Sequence, residues 1–324
     1  MPRLAYLLGA SHSGSTLLAM ALGAHPEACS VGELKATSLL DSSQYRCSCK
    51  QLIRECYFWK RVRSEMERRG VPDFDITRAG TSIHEVKSSY ARKLLAPLHR
   101  GPVLELLRDA ALSLSPAWRK HAKTAGKRNV ALMESILAIT GGKTIVDSSK
   151  IALRLKYLMQ LPKVDVRVIR VIRDGRSVSV TYCDDWNFAD SSDPTFRGGG
   201  NGRKPDRPQR SMTEAAIQWK RSNEAADALV SRLLQSHWMQ VRYEDLCADP
   251  GRILREISSF LGIDPSKVTL DFRSPEQHVI GNGMRLDSSA TIALDERWKE
   301  HITQDQRDTF ERIAGSLNRK YGYS

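Results

Sequence analysis

Apolar positions along this chain gather in short unbroken runs, separated by stretches with helical spacing. Leu4-Ala5-Tyr6-Leu7-Leu8 is apolar throughout, as expected of a strand buried on both faces of a parallel sheet. A Gly/Ser-rich turn follows, and Thr16 to Leu22 reads as a helix. Thr144–Val146, Val166–Ile172 and Trp238–Val241 read as later strands, and helical stretches follow them at Ala152–Gln160, Arg176–Cys183 and Arg252–Leu261. The run Ala28–Val31 is a candidate second strand. Strands separated by helices predict right-handed crossovers and a parallel sheet covered on both faces, an α/β fold.

Two stretches depart from this alternation. From about 50 to 140 the pattern is almost wholly helical and rich in Arg and Lys. Because the sheet resumes afterwards, we read it as a helical insertion within a single domain spanning 1–324. Asp190 to Arg210 contains Gly198-Gly199-Gly200, Pro205, Pro208 and five Arg or Lys. It is too polar to pack and too Gly-rich for a helix. Two readings apply to this flexible basic loop: a disordered surface segment, or a lid over an anionic acceptor.

Composition narrows the class. The 324 residues are 41% hydrophobic, which excludes disordered and fibrous chains. Fifty basic against 37 acidic residues give a net charge of +13. That excess favours anionic ligands without choosing among nucleotide, polysaccharide, membrane and nucleic acid. Six Cys in this length form no disulfide scaffold and fit a reducing compartment. Leu4 to Pro26 is uncharged and follows Arg3, superficially like a signal peptide. However, Gly9 and Ser11-His12-Ser13-Gly14-Ser15-Thr16 divide its apolar part, and nothing else approaches the length of a membrane span. A cytoplasmic domain with no transmembrane segment is the expectation.

The first turn carries the chemistry. Gly9-Ala10-Ser11-His12-Ser13-Gly14-Ser15-Thr16 leaves a strand and opens a helix. The first amides of that helix have no intrahelical partner and sit at the positive end of its dipole, which makes an anion site. The NTP-binding template places a Lys where Ser15 stands here, and that Lys meets the β/γ-phosphates. Its absence weakens the case for an NTP–metal complex and favours a less charged transferring group, such as a sulfuryl group.

At this point the residues resemble a known family, the sulfotransferases that use 3′-phosphoadenosine 5′-phosphosulfate. Gly9–Leu18 is similar to the family's 5′-phosphosulfate loop. Val171-Ile172-Arg173-Asp174-Gly175-Arg176 with Thr181 is similar to its 3′-phosphate motif, Thr181 standing for the usual Ser. His278-Val279-Ile280-Gly281-Asn282-Gly283-Met284-Arg285 resembles a late segment of the carbohydrate and tyrosylprotein-type branch, and Val146–Lys150 and Val241–Leu246 match recurrent segments. The resemblance covers nearly the whole chain apart from the insert and the Gly-rich loop. It implies a P-loop-type parallel sheet. It also implies transfer of a sulfuryl group to an acceptor hydroxyl or amine, with adenosine 3′,5′-bisphosphate as product and no metal.

Roles follow from the resemblance and from what in-line transfer needs: a base, cations on the transferring oxygens, and stabilisation of the leaving phosphate. Glu33 is the candidate base, its pKa expected to be tuned upward by burial; the alternative is a surface Glu capping a helix. His12 stands where the family has Arg or Lys. It is expected to contact the sulfate or 5′-phosphate, or to be the base with Glu33 orienting it, or to mark a loop that has lost competence. Ser11, His12, Ser13, Gly14, Ser15 and Thr16 are expected to hold the 5′-phosphosulfate. Arg173 and Thr181 should hold the 3′-phosphate, because Arg presents a planar donor fork. Arg285 is expected to contact the nucleotide, His278 to be structural, and Lys150 to reach the transferring or bridging oxygen or else to be solvated. Trp59, Trp118, Trp186 and Trp219 are core or acceptor-cleft aromatics.

Cys47-Ser48-Cys49 and Cys56 with Cys29 upstream match zinc spacings poorly. A buried structural cluster is the first choice, with a zinc site and an oxidisable pair as alternatives. The acceptor is expected to be a small molecule or glycan with an alcohol (carbohydrate, lipid or secondary metabolite), and no nucleic-acid partner is expected. A P-loop kinase and a non-catalytic binder of polyanions or nucleic acid are the rival functions, and oligomeric state is left open.

Overall fold

The computed structural model describes residues 1–35, 43–96, 101–198 and 209–324. Five parallel strands form one sheet: β1 (Arg3–Gly9), β2 (Ala28–Gly32), β3 (Thr144–Lys150), β4 (Asp165–Ile172) and β5 (Trp238–Arg242), in the order β2-β3-β1-β4-β5. The apolar run at the N-terminus becomes the central strand for the reason its composition gives. Leu4, Tyr6 and Leu8 face one layer of helices, Ala5 and Leu7 the other, and all five are fully buried.

One layer contains α1 (Ser15–Gly23), whose Leu17, Leu18 and Leu22 pack with Ile253, Leu254 and Ile257 of the later helix Pro250–Leu261. The opposite layer receives the segment between β2 and β3. Its helices are α2 (Tyr57–Arg68), α3 (Ser89–Leu95), α4 (Pro102–Ser113) and α5 (Pro116–Thr140). Leu132, Met133 and Ile136 of α5 join the same core cluster as Leu4, Tyr6 and Leu8, so the insert is part of the sheet's covering layer. Trp59, Trp118 and Trp219 are buried core residues; the side chain of Trp186 lies outside what is described. Residues 199–208 of the Gly-rich loop are likewise outside the described residues.

β3 is longer than its apolar residues predict. The strand was expected over Thr144–Val146, yet it continues through Asp147, Ser148, Ser149 and Lys150, all buried. Asp147 makes this possible by accepting hydrogen bonds from the Ser149 amide (2.8 Å) and the Leu34 amide (3.1 Å), with Arg154 at 3.4 Å. A buried carboxylate is tolerated when it is paired and hydrogen-bonded in this way. The pairing of β1 with β3 shifts by one residue between Tyr6 and Leu8, a bulge of the kind that re-aims a side chain. Lys150 stands just beyond it with φ 69°.

Among the described residues no helix is long and apolar enough to cross a membrane.

Candidate active site

The site lies at the carboxyl ends of the strands, where the order around β1 reverses; ligands of open α/β sheets bind at such a crevice. The residue or loop after every strand contributes. Ser11–Thr16 follow β1, Glu33 follows β2, Lys150 ends β3, Arg173 follows β4 and Tyr243 follows β5. All of these except Ser13 line one cavity of about 950 Å³.

The loop after β1 has the backbone of an anion cradle. His12 (φ 65°) and Gly14 (φ 83°) both occupy the left-handed region, a conformation found in the turns that form anion-binding nests. Only glycine suits position 14: a Cβ there would lie 2.4 Å from the Tyr243 ring. Ser11, His12, Gly14, Ser15 and Thr16 line the cavity. Ser13 departs from expectation: its side chain is not part of the lining, and its buried hydroxyl has no hydrogen-bond partner among the described residues. The ring of Tyr182 meets His12 edge-on at 5.2 Å.

Arg173 is drawn against that loop. Its guanidinium donates to the carbonyls of His12 and Asp295, each at 3.1 Å, and lies 4.3 Å over the Tyr243 ring. Thr181, nearly two turns into α6 (Gly175–Cys183), lines the same cavity while its hydroxyl donates to the Ser177 carbonyl at 3.0 Å. The 5′-phosphosulfate candidates and the 3′-phosphate candidates thus face one space.

Glu33 is positioned by the chain on both sides. Gly32 (φ 81°) allows the Ile280 carbonyl to approach so closely that a Cβ would lie 1.9 Å from it, and the Glu33 amide donates to that carbonyl at 3.3 Å. The Lys35 amide donates to the Ser149 hydroxyl at 3.0 Å. The Glu33 carboxylate is bound by Lys150 Nζ at 2.5 Å and Lys35 Nζ at 2.8 Å. This reverses the expected pKa shift. Burial pushes the carboxyl up, but Lys150 and Lys35 together outweigh it and hold it at about 2. Lys35 carried no signal in the sequence beyond standing two residues after Glu33; only the fold reveals its pairing.

Arg285, expected at the nucleotide, is placed elsewhere. It is fully buried, donates to the carbonyls of Gly281, Asn282 and Arg46, and stacks over Tyr45 at 4.6 Å. Its donors join two chain segments, and its neighbours Asn282 and Met284 line the cavity instead.

A second cavity of about 340 Å³ adjoins the first. Leu95, Ala96, Glu105 and Arg108 of the insert line it, with Ile151, Leu153 and Leu229. Ser11, Lys35 and Lys150 line both cavities, so the two spaces meet beside the Glu33 carboxylate. The excess positive charge of the chain is not concentrated here. Among the described residues the larger cavity has Lys35, Lys150, Arg173, Arg197 and Arg297 opposite Glu33, Asp190, Asp287, Asp295 and Glu296. Such a balance suits one ligand with localised charges better than a featureless polyanion.

Comparison with known proteins follows the same direction. The model of a sulfotransferase family matches residues 5–267. The chain is 27% identical to mouse carbohydrate sulfotransferase 1 over 161 residues, which are 47% of this chain and 37% of the mouse protein. It is 28% identical to the rat protein of that name over 109 residues, 34% of this chain and 26% of the rat protein. The matched part therefore spans well under half the length of those relatives. Among solved structures, the sulfotransferase domain from the curacin biosynthetic pathway matches with a TM-score of 0.50 at 18% identity, covering 100% of this chain and 99% of that one.

Proposed function

This chain belongs to the sulfotransferase family, and on that premise we propose that it moves a sulfuryl group from 3′-phosphoadenosine 5′-phosphosulfate to an acceptor hydroxyl. The observation that carries this reading is the convergence of Ser11, His12, Gly14, Ser15, Thr16, Arg173 and Thr181 on one cavity that adjoins a second one beside Glu33. The larger cavity takes the donor: the loop amides receive its 5′ end, and Arg173 with Thr181 receives its 3′-phosphate. The smaller cavity takes the acceptor. Its mixed lining of Leu95, Ile151 and Leu153 with Arg108, Lys156 and Arg232 suits a small molecule or glycan bearing both apolar and anionic or polar parts.

In the transfer the acceptor oxygen forms a bond to sulfur as the bond from sulfur to the 5′-phosphate oxygen breaks. The hydroxyl proton passes to Glu33, and the displaced bisphosphate keeps the electron pair. Lys150 and Lys35 stand where the cavities meet and offset charge on the sulfuryl oxygens and the leaving phosphate. His12 supplies a further donor from the loop.

Thermal-shift measurement tests this directly, because a ligand that binds only the folded chain raises its Tm. Adenosine 3′,5′-bisphosphate should stabilise the protein well beyond AMP, ADP or ATP at equal concentration. Equal shifts for all four would remove the 3′-phosphate site, and a preference for ATP with phosphate transfer would indicate a kinase.

A further inference from the structure

Away from the cleft, four side chains with metal-ligating atoms converge. Cys47 and Cys49 come from a tight turn, Cys56 from the residue before α2, and His278 from a segment 222 residues beyond Cys56. The sulfurs of these three cysteines and the imidazole nitrogen all lie within 4.8 Å of one another. Sequence spacing alone matches zinc sites poorly, because the fourth member is supplied by the fold.

Three of the six separations are close to those of a tetrahedral shell, and none exceeds 4.8 Å. His278 Nδ1 lies 3.3 Å from Cys56 Sγ and 3.7 Å from Cys47 Sγ, and Cys49 Sγ lies 3.7 Å from Cys56 Sγ. Bond lengths of about 2.3 Å for Zn–S and 2.0–2.1 Å for Zn–N require roughly 3.8 Å between sulfurs and roughly 3.5 Å between sulfur and nitrogen around a tetrahedron. The imidazole is also oriented for the task. Tyr57 donates its hydroxyl proton to Glu276 at 2.8 Å and so accepts from His278 Nε2 at 3.2 Å. That places the ring proton on Nε2 and leaves the Nδ1 lone pair facing the sulfurs, the arrangement by which an outer partner fixes a ligating histidine. Phe58 stacks on the ring at 4.6 Å with planes 5° apart. The turn is closed by the Lys50 amide donating to the Cys47 carbonyl at 2.8 Å, and Lys50 takes φ 68° to do so.

We propose that Cys47, Cys49, Cys56 and His278 bind one structural Zn²⁺. Three thiolates and one imidazole leave no open position, so the ion holds structure and performs no chemistry. Its place gives it a task. The turn hydrogen-bonds to the segment at 277–281 through Ser48, whose amide donates to the Val279 carbonyl at 3.2 Å and whose hydroxyl accepts from the Val279 amide at 2.7 Å. Ile280, next in that segment, accepts from the Glu33 amide. The ion therefore staples residues 47–56 to the strip of chain that backs Glu33. This proposal does not depend on sulfuryl transfer.

The test is metal analysis of untagged protein purified under reducing conditions without added metal. About one zinc per chain is expected, falling by at least fivefold in Cys49→Ser and in His278→Asn. Cobalt exchanged into the wild type should give tetrahedral d–d bands. His278→Cys should retain the metal and shift those bands to longer wavelength, a readout that survives even if Cys49→Ser misfolds. Less than about a tenth of an equivalent of zinc, together with no tetrahedral cobalt spectrum, would overturn the proposal. So would a zinc content unchanged by both Cys49→Ser and His278→Asn, or a disulfide between any two of these cysteines in the purified protein.

Discussion

Glu33→Gln separates the two properties of this side chain, its shape and its charge. Glutamine mimics the protonated carboxyl, so the variant keeps the contact surface and removes the anion between Lys150 and Lys35. The depression of the Glu33 carboxyl from 4.5 to about 2 corresponds to about 3 kcal/mol of favourable interaction in the ionised form. The side chain is only 19% exposed, so solvent screens little of it. The variant should be less stable at neutral pH by about that amount, roughly 4–5 °C in Tm for a chain of this size. The sign with pH is fixed by the direction of the shift. A carboxyl lowered in the folded state contributes its full stability above its unfolded value, and loses it as pH falls through the folded value. The gap between wild type and Glu33→Gln should therefore stay constant from pH 8 to about 5 and narrow steadily between about 4.5 and 2. Urea unfolding at a series of pH values measures it. Turnover at neutral pH should drop at least about a hundredfold, the ordinary contribution of a general base, while affinity for adenosine 3′,5′-bisphosphate is unchanged or tighter. A variant with near-wild-type turnover would refute the assignment of the base. A stability gap that widens with acid would refute the ion-pair reasoning.

Arg173→Ala should abolish discrimination between adenosine 3′,5′-bisphosphate and AMP, a loss of roughly 10–100-fold in relative affinity for a charge-assisted contact; calorimetric titration of both ligands checks it. Gly14→Ala forces an L residue to φ 83° and sets a methyl 2.4 Å from the Tyr243 ring. It should cost about 1–3 kcal/mol and remove the thermal shift given by the bisphosphate. Lys35→Met removes one of the two cations on Glu33, so its carboxyl should rise from about 2 toward 4.5. The acid limb of the kcat/KM profile should move to higher pH with it, and an unmoved limb between pH 4 and 7 would count against Lys35 as the second partner.

What the sequence reveals here depends on how local the physics is. β1 and its loop are legible because a buried parallel strand needs a continuous apolar run, and the turn after it needs residues that tolerate positive φ. Asp147–Lys150 is not legible as strand, because its buried polar side chains are satisfied by Leu34, Arg154 and its own amides, partners that periodicity does not see. The strand order is equally hidden, since it places β3 between β2 and β1 although 111 residues separate β2 from β3. Arg173 lines the cavity to which its short motif points, whereas Arg285, in an equally suggestive motif, lies outside that lining and donates from both Nη atoms to three carbonyls. His278 is the sharpest case. Nothing near it in sequence is a thiol, and its meaning appears only when the fold returns it to the cysteine turn.

A carboxylate held at about 2 is a poor proton acceptor, and this bears on the proposed chemistry. While Lys150 and Lys35 both bind Glu33, transfer of a hydroxyl proton to it is disfavoured. The donor changes that balance. In the proposed complex its phosphate and sulfuryl oxygens would carry charge into the place where the Ser11, Lys35 and Lys150 linings of the two cavities coincide, and every contact the two ammonium groups gave to those oxygens would be withdrawn from Glu33. As their attraction weakened, burial would reassert itself and lift the carboxyl, so the proposed base would strengthen only once the donor is in place. The same redistribution serves the leaving group, since charge that accumulates on the bisphosphate meets cations already freed from the carboxylate. An unshared Glu33 tuned upward by burial alone would be a stronger base in the empty enzyme and would leave two unpaired lysines beside it. The ion-paired arrangement instead keeps the apo site stable and, on the proposed chemistry, would link the proton acceptor to donor occupancy.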